Sequence, residues 1–395
     1  MKNTMLAINA GSSTVKFQLF NMQNETCLAK GMVDKLGKPD ASFELKTSTD
    51  KLVLSNIKQK SPGEIFDLII SKLDQYTDDL GNLAGVSHRV AHGGEHFQQS
   101  TLIDDNVLKA IEDNNVLAPL HNPTNVAFIK AAKNALSNVY QVAVFDTAFH
   151  QSIAPEHYVY PIPYQFYEND SIRRYGFHGT SHKFVYKSYL ESIGSPEENT
   201  KIICCHLGSG SSICAIKDGK SVNTSMGFTP LAGLMMGTRC GDIDPAIPSY
   251  IATKHDKTLQ EVEDILTKES GLLGVSQISN DCRAIENAAK KGDSKAILAL
   301  DIFCERIRHF IGAYWLQMDG CDAIVFTGGI GENSRLIRQK VCTGLESIGI
   351  TIDEARNQNN EPQFNGDDSK VILAIVNTNE ELMMAREGLE VIDAC

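Results

Sequence analysis

The sequence predicts an α/β fold with mixed sheets, built as two duplicated halves. Two similar segments support this prediction: residues 5–20, MLAINAGSSTVKFQLF, and residues 202–216, IICCHLGSGSSICAI. Each places a turn of Gly and Ser between two apolar runs, which is typical of a β-hairpin. Because the hairpins begin about one domain's length apart, they predict a duplication in which two halves hold one polyphosphate between them.

Length and composition limit the class of protein. A chain of 395 residues is too long for one ordinary core, so two domains are expected. The formal net charge of -12 argues against nucleic acid and anionic membranes as partners. The ten cysteines include no C-x-x-C pair, no signal-peptide pattern opens the chain, and no apolar run reaches the length of a membrane span. A reduced, cytoplasmic protein is therefore expected.

Between the two hairpins, strands and helices are predicted to alternate. Residues 83–90 and the Val-rich residues 139–145 are predicted strands, whereas residues 104–114 have a helical pattern. Residues 155–169 are rich in Pro and Tyr and lack a helical period. We expect the crossing between the domains in this segment.

After the second hairpin, the Gly- and Met-rich residues 227–241 are predicted to form a long loop. Residues 296–317 are predicted to be helical, and residues 322–327 form a buried type of strand that leads into a Gly-rich turn. The chain is predicted to end with a strand at 371–376 and an amphipathic helix from about Glu380.

The turn of the first hairpin offers polar groups from Asn9, Ser12, Ser13, Thr14 and Lys16. Small residues leave backbone N–H groups and hydroxyls open to a phosphate. A tight turn also favours Gly and Ser for structural reasons alone. The placing of Asn9 at the end of one strand and Lys16 in the next favours phosphate binding.

Residues 322–334 are the second strong feature. A strand, three glycines and then Glu332, Asn333 and Ser334 at the start of a helix resemble a close backbone contact with a nucleotide. The pattern is not G-x-G-x-x-G, which disfavours a nicotinamide-dependent dehydrogenase. A strand-to-helix turn without a ligand is the structural alternative.

Three arginines stand beside turn residues: Arg89, Arg239 and Arg283. The planar guanidinium suits carboxylate and phosphoryl oxygens. Most arginines in any chain are solvated surface groups, and that alternative applies here too.

The segment 174–182, RYGFHGTSH, is the most distinctive stretch of the chain. His178 stands between an aromatic residue and Gly, where it can donate a hydrogen bond to developing negative charge. A buried structural histidine is the alternative, and the same choice remains open for His121 and His206. The histidines lack the short spacing and cysteine partners of a zinc site.

Two acidic segments complete the candidates. Asp146 ends a predicted strand, where a carboxylate can serve catalysis or cap the following turn. Thr378 and Glu381 fit a capping box at the last helix, which leaves Glu380 available to hold Mg²⁺ through oxygen or water.

With these motifs, the whole chain resembles the acetate kinase family, within the superfamily of acetate and sugar kinases, Hsp70 and actin. The motifs are residues 9–13 with Lys16, 174–182, 237–239, 326–334 and 379–381. The resemblance implies two duplicated actin-like, ribonuclease H-like domains with mixed sheets and an interdomain cleft. Their implied limits are 1–150 with 380–395 on the acyl and phosphate side, and 151–379 on the nucleotide side.

The resemblance also implies residue roles and a homodimer. Mg²⁺ or Mn²⁺ would be held by Asn9 and Glu380, and phosphate would be bound by Lys16 and Ser12. The acid would be bound by Arg89, Ala91, Leu120, Phe177 and Pro230. Asp146 would be the catalytic acid residue, and the transferring phosphoryl group would be stabilised by His178 and Arg239. The implied ATP contacts are His206, Leu207, Gly208, Ser209, Gly210, Asp281, Cys282, Arg283, Gly329, Ile330, Gly331, Glu332 and Asn333.

Two positions depart from the family pattern. Ser209 stands where the family usually has Asn in His-Leu-Gly-Asn-Gly, and Ser is shorter. Ala91 stands where many members have Val, at a position that lines the acyl pocket in the family. These departures bear on the phosphate contact and on the preference for acetate.

The implied activity is reversible transfer of the γ-phosphoryl group of ATP to acetate by direct in-line attack, giving acetyl phosphate and ADP. A carboxylate is ionised near neutral pH, so orientation of His178 or an arginine is an alternative role for Asp146. A propionate or other short-chain acyl kinase would share every motif. An actin- or Hsp70-like ATPase has no use for Arg89 and Ala91 at a small-acid pocket, and it would need a partner-binding region for which the chain shows no further domain.

Overall fold

Both predicted hairpins are present in the computed structural model, which describes residues 2–77 and 79–395. The chain divides into two units: the first runs to Phe149 and resumes at Asn379–Cys395, and the second spans His150–Thr378. The sequence-based limits of 1–150 with 380–395 and 151–379 remain a prediction about independently folding domains.

Eight strands form the sheet of the first unit. They are β1 Thr4–Ala10, β2 Thr14–Asn21, β3 Thr26–Asp34, β4 Ser42–Thr47, β5 Lys51–Ser55, β6 Leu83–Val90, β7 Thr101–Leu102 and β8 Tyr140–Phe145. Their spatial order is β5-β4-β3-β2-β1-β6-β8-β7. Strands β1 to β5 pair antiparallel, whereas β6 is parallel to both β1 and β8.

Five strands form the sheet of the second unit. They are β9 Lys201–Leu207, β10 Ser211–Lys217, β11 Lys220–Thr224, β12 Ala323–Thr327 and β13 Ile372–Ile375, in the order β11-β10-β9-β12-β13. Strands β9 to β11 pair antiparallel, and β12 is parallel to β9 and β13. This order and these directions repeat those of β3-β2-β1-β6-β8, so the predicted duplication in an α/β fold is confirmed.

The helices lie between and after these strands. They are α1 Pro62–Tyr76, α2 Asp105–Asp113, α3 Asn122–Ala135, α4 Pro155–Tyr158, α5 Gln165–Asp170, α6 Gly179–Ile193, α7 Ala246–His255, α8 Leu259–Asp264, α9 Gly271–Ser276, α10 Cys282–Lys290, α11 Ser294–Met318, α12 Gly328–Asn333, α13 Arg335–Cys342, α14 Glu354–Gln358 and α15 Glu380–Asp393. The predicted helices at 104–114, at 296–317 and from Glu380 are α2, α11 and α15. The predicted loop at 227–241 contains no helix or strand.

Side chains of α11 cover the second sheet. Phe303 and Ile307 lie in one buried cluster with Ile324 and Phe326 of β12. All five residues of β12 are buried, as expected for a parallel strand covered on both faces. This packing holds the end of β12, and the Gly-rich turn after it, against the neighbouring β9.

Helix α15 packs on the sheet of the first unit at close range. A Cβ on Gly388 would lie only 2.0 Å from Oγ of Ser87, so the helix approaches β6 through its glycine. Met384 and Ala385 join Met5 and Val144 in a buried cluster. The contact places the first turn of α15, with Glu380, on the first unit.

Two sequence predictions are wrong. Residues 155–169 were expected to lack helix, but α4 and α5 begin there, and α4 starts with a proline in its first turn, where the missing N–H costs no hydrogen bond. These residues lie within the second unit.

The predicted capping box of Thr378 and Glu381 is also absent. The N-cap of α15 is Asn379, whose Oδ1 accepts a hydrogen bond from the N–H of Leu382 at 3.1 Å. Thr378 instead contacts Ser181, with 2.8 Å between their hydroxyl oxygens, and Glu381 accepts from Nε2 of Gln18 at 3.3 Å. Asn379 caps the helix because its short side chain reaches the N–H of the third residue after it.

Within the described ranges, no helix is both long and apolar enough to cross a membrane. The ten cysteines are free thiols, and Cys27 and Cys395 are exposed.

Candidate functional site

The turn of the first hairpin is held closed by one backbone hydrogen bond. The N–H of Gly11 donates to the carbonyl of Thr14 at 2.8 Å. Asn9 and Lys16 are cross-strand partners in β1 and β2, so both belong to the same end of the hairpin. Ser12 is exposed in the turn and Lys16 is exposed beside it. The turn therefore offers a cation, an amide and a hydroxyl.

Arg89 and Asp146 form an ion pair at the ends of β6 and β8. Nη2 of Arg89 lies 2.5 Å from Oδ2 of Asp146, and Nε lies 3.2 and 3.1 Å from Oδ1 and Oδ2. Asp146 is only 2% exposed, so its charge is compensated by this partner and not by solvent. Burial opposes the charge of Arg89, but the carboxylate of Asp146 raises the pKa of the guanidinium. The third nitrogen, Nη1, lies 3.5 Å from Oδ1 of Asn9.

Glu380 adds a further carboxylate to this cluster. Burial raises the pKa of Glu380 to about 7, and the charge of Asp146 acts in the same direction. Glu381 also raises this pKa, whereas Arg89 and Lys16 lower it. The carboxylates of Asp146, Glu380 and Glu381 thus share two cations, Arg89 and Lys16. The surplus negative charge is what a divalent cation would relieve.

The donor set of this cluster suits Mg²⁺ or Mn²⁺. Asn9 and Glu380 supply oxygen atoms, which these cations prefer. Among the described residues, no group of three or more His, Cys, Asp or Glu side chains is arranged to hold a metal ion. A site with one or two protein oxygens is nevertheless ordinary for Mg²⁺ that is shared with substrate phosphates.

The loop that follows β6 is fixed by two buried asparagines of α3. The N–H of Ala91 donates to Oδ1 of Asn125 at 3.1 Å, and Nδ2 of Asn125 donates to the carbonyl of Ala10 at 2.7 Å. Asn122 makes a matching pair of bonds with the backbone of His92. Ala91 is 2% exposed, whereas Leu120, the other acyl-pocket candidate nearby in sequence, is 68% exposed.

The second unit contains a cavity of about 680 Å³. Eight of the predicted ATP contacts line it: Gly208, Ser209, Asp281, Cys282, Arg283, Gly329, Ile330 and Asn333. They come from the turn between β9 and β10, the start of α10 and the short helix α12. Three segments that are distant in sequence therefore meet at one cavity.

Other predicted ATP contacts lie outside the cavity wall. The side chain of Leu207 is buried in the core. Oε1 of Glu332 accepts from the N–H groups of Gly328 at 3.0 Å and Thr378 at 3.2 Å, which closes the Gly-rich turn. The cavity residues do not include His206, Gly210 or Gly331.

His178 stands at the start of α6 in a left-handed conformation, with φ of 59°. Its Nδ1 lies 3.0 Å from Oγ of Ser212, and its ring lies 4.4 Å from the ring of His206. On the other side, a Cβ built on Gly210 would lie 3.4 Å from Nε2 of His178 and 3.5 Å from Nη1 of Arg239. His178 and Arg239 thus border the same glycine turn.

Arg239 is half-buried, and burial lowers the pKa of its guanidinium. Nη1 donates to the carbonyl of Pro230 at 3.4 Å. No carboxylate pairs with Arg239 in the part of the chain that the structure describes. The guanidinium of Arg239 therefore has unused capacity for an anion.

Phe177, a predicted acyl-pocket residue, is buried with Met226 and Met236 in a small apolar cluster.

Comparison with known proteins decides the family. The model of the Acetokinase family matches residues 4–386. The chain belongs to this family. It is 48% identical to a propionate kinase of Salmonella typhimurium, over 99% of this chain and 97% of the relative. It is 49% identical to acetate kinase 1 of Listeria monocytogenes, over 97% of each. The crystal structure of Porphyromonas gingivalis acetate kinase superposes with a TM-score of 0.93 at 39% identity, covering 98% of this chain and 99% of that one.

As a member of the acetokinase family, the chain is a phosphotransferase of the acetate kinase type, and the predictions of family, fold class and enzyme are confirmed. The match over residues 4–386 favours an acyl kinase over an actin- or Hsp70-like ATPase. The individual site residues remain predictions.

Sequence reasoning missed several residues of the site. Asn280 and Glu286 line the cavity, and so does Ser334, which the sequence placed in the Gly-rich segment but not among the ATP contacts. Glu286 follows Cys282 by one helical turn, so the helical period of α10 was a usable signal. Asn125, Ser212 and His182 had no such signal, because their roles depend on contacts between distant segments.

Proposed function

We propose that the chain transfers the γ-phosphoryl group of ATP to acetate reversibly, giving acetyl phosphate and ADP. The family match over residues 4–386 is the main support. Arg89 adds a specific reason, because the carboxylate of a small acid needs a cation, and the half-buried Arg89 stands at the end of β6 beside the fixed loop of Ala91.

In the proposed reaction, a carboxylate oxygen of acetate attacks the γ-phosphorus in line. The new O–P bond forms as the bond to the β–γ bridging oxygen breaks, and ADP leaves with the electron pair. Acetate is already ionised at neutral pH, so no proton has to be removed. The work of the protein is to position the reactants and to neutralise charge.

Each cluster has a distinct task in this proposal. Arg89 binds the acid, and Asp146 orients Arg89 instead of transferring a proton. The cavity of the second unit binds ATP, and its Gly208 and Ser209 contact phosphate. His178 and Arg239 donate hydrogen bonds to the transferring phosphoryl group. Mg²⁺ or Mn²⁺, held by Asn9 and Glu380, would neutralise charge on the phosphate oxygens.

Propionate is the second candidate acid. Ala91 is buried, and its side chain has two methyl carbons fewer than the Val that many family members carry there. Propionate kinases also stand among the relatives at 48% identity. A homodimer and a cytoplasmic location complete the proposal.

Trapping of acyl phosphate with hydroxylamine tests the proposal directly. Purified protein with Mg²⁺, ATP and acetate, propionate or butyrate should yield acyl hydroxamate, and controls without acid or without ATP should not. ATP hydrolysis without hydroxamate from any acid would contradict the proposed activity. A higher kcat/KM for propionate than for acetate would replace the first candidate by the second.

A further inference from the structure

We infer that Ser212 and His182 are positioning residues that set the protonation of His178, so that its Nε2 carries the proton and donates to the transferring phosphoryl group. The inference rests on the proposed function in taking His178 as that donor. It adds two residues to which neither the sequence reasoning nor the family comparison assigned a role.

A chain of three side chains supports the inference. Oγ of Ser212 lies 3.0 Å from Nδ1 of His178 and 2.8 Å from Nε2 of His182. Ser212 and His182 are completely buried. His182 lies in the first turn of α6, four residues after His178 at its N-cap, and both rings reach the same hydroxyl of β10.

The far side of His182 decides the direction of these hydrogen bonds. Its Nδ1 is buried and finds no hydrogen-bond partner among the described residues. A proton there would be a buried, unpaired N–H, which folded proteins rarely keep. The proton of a neutral His182 therefore sits on Nε2 and is donated to Ser212.

Addition of a second proton to His182 is disfavoured as well. Burial lowers the pKa of His182 well below its usual value, and the neighbouring His150 and His206 act in the same direction. Their rings lie 5.9 and 6.2 Å from that of His182. His182 thus stays neutral.

The remaining proton of the chain follows from this arrangement. A serine hydroxyl has one hydrogen to donate. Because Ser212 accepts from His182, it can donate to Nδ1 of His178, and the neutral His178 then carries its own proton on Nε2. Nε2 borders the Gly210 turn next to Arg239. The reverse arrangement would present a lone pair to the phosphoryl oxygens and repel them.

The first test reads the protonation directly. Long-range ¹H–¹⁵N correlation spectra of the ¹⁵N-histidine-labelled full chain at pH 7.5 should show His178 with a bare Nδ1 and a protonated Nε2. The spectrum of His178→Ala assigns the signal. Ser212→Ala should shift the tautomer toward Nδ1–H. A wild-type His178 with the proton on Nδ1, or on both nitrogens, would overturn the inference.

The second test uses activity. Ser212→Ala should lower kcat by about 10²-fold, because a preorganised donor is lost, with KM for ATP and acetate changed less than about threefold. Ser221→Ala is the matched control, since Ser221 is equally buried and its Oγ lies 2.8 Å from Nδ1 of a different histidine, His150. In a His178→Ala background, Ser212→Ala should lower kcat by less than a further factor of about two. If Ser212→Ala lowers kcat by the same factor in the wild type and in His178→Ala, the inference is overturned.

If the Ser212→Ala protein does not fold, a pair of His182 variants provides the test. His182→Gln keeps an N–H donor for Ser212 and should retain most of kcat, whereas His182→Phe keeps the ring shape but not the donor and should lose it. Equal kcat in the two folded variants would count against the relay. If instead the wild type makes no acyl phosphate, or His178→Ala keeps full kcat, the proposed function or the role of His178 fails, whatever the tautomer.

Discussion

The carboxylate of Asp146 accepts three hydrogen bonds from the guanidinium of Arg89, through Nη2 at 2.5 Å and Nε at 3.1 and 3.2 Å. This contact occupies two of the three nitrogens of Arg89 and leaves Nη1 toward Asn9. A carboxylate that accepts all three of these hydrogen bonds fixes the direction of the guanidinium. The geometry therefore favours orientation of Arg89 as the task of Asp146.

Asp146→Asn should lower kcat/KM for acetate by about 10²-fold or more, because the half-buried guanidinium of Arg89 loses its charged partner and its fixed direction. Arg89→Ala should lose at least as much. The double variant should be no worse than Arg89→Ala alone, since the two residues act as one unit. Hydroxamate assays with an acetate titration measure these values. If the fold-losses in kcat/KM of the two single variants multiply in the double variant, Asp146 has a task independent of Arg89.

Glu380→Gln should lower kcat sharply and raise the Mg²⁺ concentration needed for half-maximal activity. In the wild type, the raised pKa of Glu380, about 7, means that protons compete with the cation below that pH. The Mg²⁺ requirement should therefore fall as pH rises from 6 to 8, and Glu380→Gln should lose this dependence. Glu381→Gln is the control, because Gln can still contact Gln18. Similar Mg²⁺ titrations for both variants would exclude Glu380 as the ligand.

Arg239→Ala and Arg283→Ala should separate charge stabilisation from nucleotide binding. Arg239 is half-buried beside the Gly210 turn, so its loss should cost about 10²-fold or more in kcat. The side chain of Arg283 is 87% exposed and pairs with Asp281 at the cavity. Its removal should mainly raise KM for ATP a few-fold, because exposed ion pairs contribute little. Initial rates over an ATP titration distinguish the two, and an unchanged kcat in Arg239→Ala would refute its role.

Ala91→Val should lower the use of propionate selectively. One added methylene is worth roughly 0.8 kcal/mol when buried, and an apolar pocket discriminates a single methylene by about 1–3 kcal/mol. We therefore expect the wild type to use propionate within about tenfold of acetate in kcat/KM. Equal changes for acetate and propionate in Ala91→Val would show that Ala91 does not line the acyl pocket. Melting curves of the variant exclude a general loss of structure.

Acid should destabilise the protein between pH 6.5 and about 4. Burial lowers the pKa of His88, His150 and His206 to about 4, so these residues stay neutral in the folded state. The unfolded chain binds protons at these histidines below pH 6.5, so their contribution to stability is complete above pH 6.5 and is lost as pH falls toward 4. His88→Gln, in the first unit, should flatten the decline of the melting temperature over this range. An unchanged slope in that variant would contradict the prediction for His88.

Much of the fold was predictable because the local patterns agree with the tertiary structure. The hairpins, β6, the helix from Glu380 and the loop 227–241 follow from apolar periodicity and turn residues, which act over a few neighbours in the chain. One error, the cap of α15, occurred where two local solutions compete. Thr378 and Asn379 are both residue types that cap helices, and in the structure Asn379 caps α15 whereas the hydroxyl of Thr378 contacts Ser181.

The sequence by itself determined the duplicated hairpins, the family and the residue types available to each half, because these depend on order along the chain. Only the tertiary structure decided how those residues are used. It paired Arg89 with Asp146 across 57 positions, and it placed Ser212 between His178 and His182 across 34 and 30 positions. A hydrogen bond requires atoms within about 3 Å of each other. Parallel strands and packed helices bring such atoms together, and no local pattern records which distant side chains will meet.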